Sequence, residues 1–222
     1  SGAQAYADSV ATYLGITVSR LANRCSSICF WDTGGQKIQQ VFARQAIPMT
    51  WDFVEGNPFS SSSGNWLGQL SFAVKNIESA PILPIPGVSE QKDAATLNLS
   101  GKFIVATDPP YYDNIAYADL SDFFYVWLRR SLQKLYPQLF STLVTPKTQE
   151  LVAIASRFNG DATKARQFFE EGLGHVFENI RDMAHSGFPI TMYYAFKQAE
   201  NATETINGSS HNLLASTGWE TM

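Results

Sequence analysis

The sequence predicts an α/β fold with an N-terminal helical region. Apolar residues recur at three- and four-residue steps through much of positions 1–80, and positions 81–222 follow in the order strand, helix, helix, strand. A proline cluster separates the two parts. The expected organisation is therefore a helical subdomain over 1–80 and an α/β domain over 81–222.

In the first part Tyr6, Val10, Tyr13, Leu14, Val18 and Leu21 mark one face of a helix expected within 5–31. Gly34 and Gly35 break it, and a short second helix is expected over 37–46, ending before Pro48. The serine tract 60–63 with Gly64 and Asn65 is a polar loop able to cap a third helix running to about Ile77. Pro81, Pro84 and Pro86 then punctuate the chain. A strand is expected at 102–107 and a helix at 119–136 with Phe123, Trp127, Leu128 and Leu135 on one face. Asp161 caps a long helix to about His185, closed by Gly187, and 188–196 form a second buried strand. Short connections and right-handed crossovers make that order a parallel pair.

Composition narrows the function classes. Of 222 residues 45% are hydrophobic, enough for one sizeable core, and no apolar run approaches a membrane span. Charged residues reach only 16% against roughly 25% in an average domain, with 13% aromatic, so part of the surface is expected to meet something other than water. A formal net charge of −4 excludes a whole-molecule electrostatic grip on nucleic acid and leaves room for a local basic strip. The chain reads as cytoplasmic. Cys25 and Cys29 are the two cysteines and read as buried helix thiols, not a zinc site.

Chemistry concentrates at Asp108-Pro109-Pro110-Tyr111, just past the first strand. Ligands of open parallel sheets bind outside the carboxyl ends of strands. Two prolines have no N–H and fixed φ, so this turn offers carbonyls and a carboxylate with almost no competing donors. Such an acceptor cup complements a group with two N–H donors, such as the exocyclic amine of adenine or cytosine, while Tyr111 stacks on the ring. Pulling on both hydrogens favours a more tetrahedral nitrogen and frees its lone pair for attack on an electrophilic methyl group. A rigid surface turn with a packed tyrosine is the structural alternative.

Asp-Pro-Pro-Tyr after a strand resembles a motif of S-adenosylmethionine-dependent amino-methyltransferases, which modify adenine N6 or cytosine N4 in DNA. The longer string 108–115 through 119–128, with 51–59 and 192–198, is similar to prokaryotic adenine-specific DNA methylases that carry a Zn-ribbon. The resemblance covers nearly the whole chain. It implies a partial Rossmann-like methyltransferase fold, S-adenosylmethionine as cofactor and DNA as partner. Carried onto this sequence, it makes Asp108 and the Pro109 carbonyl acceptors for the target amine, with Pro110 stiffening the turn and Tyr111 stacking on a flipped base. Tyr112, Asp113 and Asn114 would line the same pocket. Upstream, Asp93 and Ala94 correspond to the motif that contacts the adenine of the cofactor; a solvated turn acid is the alternative there.

The chain departs from that family in four places. No Gly-x-Gly follows a strand, no acid ends a second strand to hold the ribose, the Zn-ribbon cysteines are absent, and 217–222 stop inside an expected helix. A piece of a longer enzyme carrying the acceptor half of the site is the expectation, with one edge of the strand at 102–107 left unpaired. That edge should be covered by a rearranged segment or a second copy of the chain. Cytosine N4, an RNA base, or a binding module without turnover are the runner-up readings.

Other residues carry less. Arg129 and Arg130, with Lys134 and Lys147, either approach phosphates or act as favourable charges near a helix end. His175, His185 and His211 have no triad or ligand spacing. Asn57-Pro58-Phe59 reads as a helix-start turn, and Tyr193, Tyr194 and Lys197 as packing beside the pocket.

Overall fold

A computed structural model describes residues 2–81 and 85–194, together with the backbone of two further strands. Pro84, the positions 195–196 of the expected second strand, Lys197, Gln198 and the segment 217–222 lie outside the described residues. Helices and a few short strands mix, roughly an α/β chain. It forms two compact units, one of Ser1–Glu90 with Tyr117–Lys147, the other of Gln91–Ala116 with Thr148–Met222. The expected linear divide at residue 80 falls within the first.

In the first unit α1 (Gly2–Ala22) buries a face of small residues, Gly15, Thr17, Ser19 and Ala22. The fit against α3 (Tyr117–Leu132) is close enough that a Cβ on Gly15 would sit 2.7 Å from a Leu132 methyl. Leu132, Tyr125 and Phe140 form the core there, backed by Leu128 and Leu135. Leu128 and Leu135 of the expected face thus pack on this core, while Phe123 meets Phe42 and Phe124 edge-on. The third helix forms as expected, α2 (Trp66–Ser79), with Asn65 accepting from the Gly68 N–H. Asn57-Pro58-Phe59 is its entry: Phe59 N–H donates to Asn57 Oδ1 and Trp66 N–H to the Pro58 carbonyl.

Two expectations for this unit are corrected. The helix α1 stops at Ala22 because Asn23 turns away, both its side-chain and backbone oxygens accepting from Val41 N–H. Cys25 and Cys29 therefore lie in turns, half-buried and buried respectively, and not on a helix. Burial, then Cys29, pushes the Cys25 thiol up. No helix forms over 37–46; β1 (Trp31–Asp32) and β2 (Lys37–Ile38) make an antiparallel hairpin. Its turn is organised by Asp32, whose Oδ1 accepts from Gly34 and Gly35 N–H while Gln36 takes a left-handed φ of 47°. Helix propensity loses to that local turn.

The segment after α3 is clasped back by Asp122. Its carboxylate accepts from Lys147 Nζ at 2.6 Å and from the Thr145 N–H at 2.8 Å. Burial acts to raise the Asp122 pKa, but Lys147 and Thr145 outweigh it and hold the carboxyl below its ordinary value. Asp122→Ala is expected to cost about 1–3 kcal/mol, because it removes the carboxylate that Thr145 and Lys147 share and leaves the Thr145 N–H without its acceptor. Stability contributed this way is present above the unfolded value near pH 4 and is lost as pH falls through the lower folded value, so urea melts at descending pH should lose the wild-type advantage over the variant.

The second unit is organised on α4 (Ala162–Met183), capped as expected by Asp161, which accepts from Thr163 and Lys164 N–H. Phe169, Leu173 and Val176 are its buried stripe, with Ala95, Tyr112, Leu151, Ala153, Phe177 and Ile180 packed against it. The strands β3 (Ala106–Thr107) and β4 (Thr191–Met192) pair in parallel, Ala106 opposite Thr191. Both are shorter than expected, though ladder bonds begin earlier: Phe103 N–H donates to the Met183 carbonyl, and the Phe103 carbonyl accepts from His185 N–H. Phe103, Val105 and Thr107 thus face β4 and its approach, while Ile104 and Ala106 face the other edge. Among the described residues nothing covers that edge, and Ile104 is 68% exposed, so the expected rearranged segment is not found there. Strands β5 (Ala202–Ile206) and β6 (Ser209–Leu213) form a separate antiparallel hairpin. Among the described residues no helix is long and apolar enough to cross a membrane.

Candidate functional site

The Asp108 turn leaves the carboxyl end of β3, where Thr107 is locked by Tyr193 N–H donating to its carbonyl at 2.8 Å. Pro109 is buried, Pro110 and Tyr111 are half-buried, and Asp108 is exposed. A buried proline at the pivot fixes the direction in which the carboxylate and the next carbonyl leave the sheet. The Tyr111 hydroxyl donates to Asp108 Oδ1 at 2.6 Å, and the Tyr111 ring meets Tyr194 at 5.6 Å in a T-shaped contact. Asn114 N–H closes the turn on the Tyr111 carbonyl.

Acceptors remain over after these bonds are made. Asp108 Oδ2 and the Pro109 carbonyl receive no hydrogen bond from any described residue. These two oxygens thus have no donor among the described residues, and one of them belongs to a buried residue.

Tyr112 is the strained member, with φ at 51° in the left-handed region, a conformation costing about 1–3 kcal/mol for a non-glycine residue. Two contacts hold it there. Its ring stands edge-on to Phe169 at 5.2 Å and 89°, and its carbonyl accepts from Ala153 N–H at 3.0 Å. The kink turns Asp113 outward, where it is exposed. Burial first, then the Asp113 charge, raises the Tyr112 pKa. The same two causes, with Tyr112 added, raise that of Tyr194. Both shifts favour the neutral phenol.

A raised phenol value stabilises the fold below the unfolded value near pH 10, and that contribution disappears as pH rises through the folded value. Stability followed by urea melts from pH 9 to 11 should therefore fall more steeply for the wild type than for Tyr112→Phe.

Asp93 caps the single 3-10 turn Ala94–Thr96, its Oδ1 accepting from Ala95 N–H at 2.9 Å. The carbonyls of Ala94 and Ala95 both accept from Asn179 Nδ2 of α4. The two sequence motifs are thus tied to one helix, since Ala95 and Tyr112 pack on the same Phe169 stripe. Asp93 and Ala94 do not by themselves fit the task of holding S-adenosylmethionine. Asp93 spends one oxygen on its own turn, the Ala94 carbonyl is taken, and the positive-φ glycines Gly64, Gly101 and Gly160 do not follow a strand.

Phe169, Tyr194 and Asn179 are the supporting residues that motif reading missed or took for packing. Only α4's apolar spacing signals Phe169, and nothing local signals the other two. Arg129 Nε donates to the Phe140 carbonyl at 3.3 Å and Lys147 is taken by Asp122, which favours structural roles for both. His185 meets the Phe188 ring edge-on and its Nδ1 accepts from Gly187 N–H. Among the described residues no cluster of His, Cys, Asp or Glu is arranged to hold a metal. The chain matches no family model, no curated protein and no solved structure.

Proposed function

We propose that the Asp108 turn binds the exocyclic amine of an unpaired nucleobase, adenine in DNA, as the acceptor site of an S-adenosylmethionine-dependent N6-methyltransferase. The observation that carries this reading is the pair of oxygens, Asp108 Oδ2 and the Pro109 carbonyl, that receive no hydrogen bond from the described residues at the end of a parallel strand. An amine N–H reaches each, the ring lies against Tyr111, and Tyr111 itself steadies the carboxylate through Oδ1. Asp108 is also the group placed to receive the proton the amine must shed on alkylation. The parallel β3–β4 pair supports a partial Rossmann-like sheet as the framework. The methyl donor would have to be held by more than Asp93 and Ala94, so no step is derived through it.

A DNA decamer with a single adenine, compared with one carrying N6,N6-dimethyladenine, isolates the claim because the dimethyl base has no N–H to give. Fluorescence anisotropy should show the adenine decamer binding roughly tenfold tighter, a difference of about 1.4 kcal/mol. Equal binding of the two would remove the amine from the interaction. A cytosine decamer shares the amine and measures how far ring size adds discrimination. Transfer of a radiolabelled methyl group from S-adenosylmethionine to the adenine decamer tests turnover.

A further inference from the structure

In the first unit the end of α1, the serine loop and the start of α2 surround a cavity of about 370 Å³. That size lies in the range of small-molecule sites. Arg20 and Arg24 line it, and no acidic residue does. Neither arginine has an acidic partner within salt-bridge reach among the described residues. Arg20 lies over the Phe72 ring, 4.3 Å from its centroid, so its planar fork is oriented without being neutralised. Arg24 spends one nitrogen on the Ile38 carbonyl at 2.9 Å and keeps the remaining donors of its fork. Gly64, at φ 89°, lets Arg24 pass: a Cβ there would come within 2.9 Å of its Cδ.

A second, independent observation points the same way. Gln69, on the first turns of α2, is only 5% exposed, lines this cavity, and its side-chain amide makes no hydrogen bond with any described residue. No sealed side-chain N or O atom of the described residues lacks a partner, so this amide opens onto the cavity it lines. An amide that has no protein partner and stays reachable from the cavity is free to hydrogen-bond a ligand entering it. The Ser61 and Ser63 hydroxyls likewise have no protein partner among the described residues. Asn65 and the α2 N-terminus add the favourable end of a helix dipole.

We infer that this cavity is a binding site for a phosphate group, gripped by Arg20 and Arg24 and hydrogen-bonded by the serine loop and Gln69. A phosphate is tetrahedral, doubly charged or nearly so, and acceptor-rich, which matches a lining of unneutralised forks, hydroxyls and an amide N–H₂. The site is independent of the Asp108 turn and does not rest on the methyl-transfer reading. The phosphate is either that of a small ester or one from a nucleic-acid backbone.

Calorimetry of the full chain with inorganic phosphate at constant ionic strength tests this. Saturable binding is expected, weakened at least tenfold by Arg20→Gln and several-fold by Gln69→Leu. Arg20 is exposed and Leu keeps the Gln69 volume, so far-ultraviolet circular dichroism should be unchanged in both. Absence of saturable binding to the wild type, or equal binding by the wild type and both variants, overturns the site. ADP and a thymidine decamer then separate the sources. Stronger binding of ADP assigns a small phosphate ester; stronger binding of the decamer, with affinity falling as salt rises, assigns the backbone.

Discussion

Phe169→Ala is expected to cost about 3–5 kcal/mol in urea unfolding, the largest stability loss for any single side chain described here. Phe169 is fully buried and sits at the crossing of three segments: the Tyr112 ring meets it edge-on, and Leu151 and Ala153 pack beside it on the α4 stripe. Truncation leaves a cavity those segments cannot all collapse into, since Ala153 is tied by hydrogen bond to the Tyr112 carbonyl. It also removes the ring that holds Tyr112 in its left-handed conformation, which then has every reason to relax. Phe168→Ala is the control. That neighbour is half-buried and leans on Phe158, so its loss should be smaller and should leave the turn intact. A Phe169→Ala loss no greater than that of Phe168→Ala would show that the turn does not depend on α4 for support.

Asp108→Asn is expected to lower methyl transfer to an adenine decamer by roughly 10²–10³-fold, the scale of losing one preorganised electrostatic partner of a transition state. The substitution is nearly isosteric, and the amide oxygen still accepts from the Tyr111 hydroxyl. What changes is the second position, where Oδ2 becomes an N–H₂ pointing at the base amine. A donor then faces a donor, and no general base remains to take the departing proton. Ground-state binding should suffer less, about tenfold, because the Pro109 carbonyl still accepts. Tyr111→Phe should fall between the wild type and Asp108→Asn, since it frees the carboxylate to rotate without removing it. Equal, measurable transfer by wild type and Asp108→Asn, or equal binding of the adenine decamer by both, would end the acceptor reading.

Elements with local, self-contained signals were legible in the sequence. Asn65 and Asp161 cap α2 and α4 as expected, and Asp108 sits at the end of a strand in a parallel pair. Where long-range partners decide the outcome, local pattern failed. Helical spacing and apolar residues extended α1 past Asn23, yet a single partner, Val41, ends it. The hairpin at Trp31 and Ile38 had a signal that helix spacing overrode, an Asp followed two and three residues on by glycines. At the turn the acceptor residues could be named, but Tyr112's backbone could not. Nothing in a tyrosine favours φ near 51°; the burial of Phe169 and the Ala153 bond impose it. The Arg20 and Arg24 cavity was invisible for a similar reason. Its basic, serine and amide groups are brought together only by packing.

The pairing of Ala106 with Thr191 has a kinetic side. Bringing those two positions together closes a long loop of intervening chain, whose entropy must be given up before the short ladder returns anything. Two residues a side cannot nucleate; α4 can, with its cap and the adjoining turns drawn from nearby sequence. The turn at Asp108, which leaves the end of that short ladder, is therefore expected to settle only after α4 has formed.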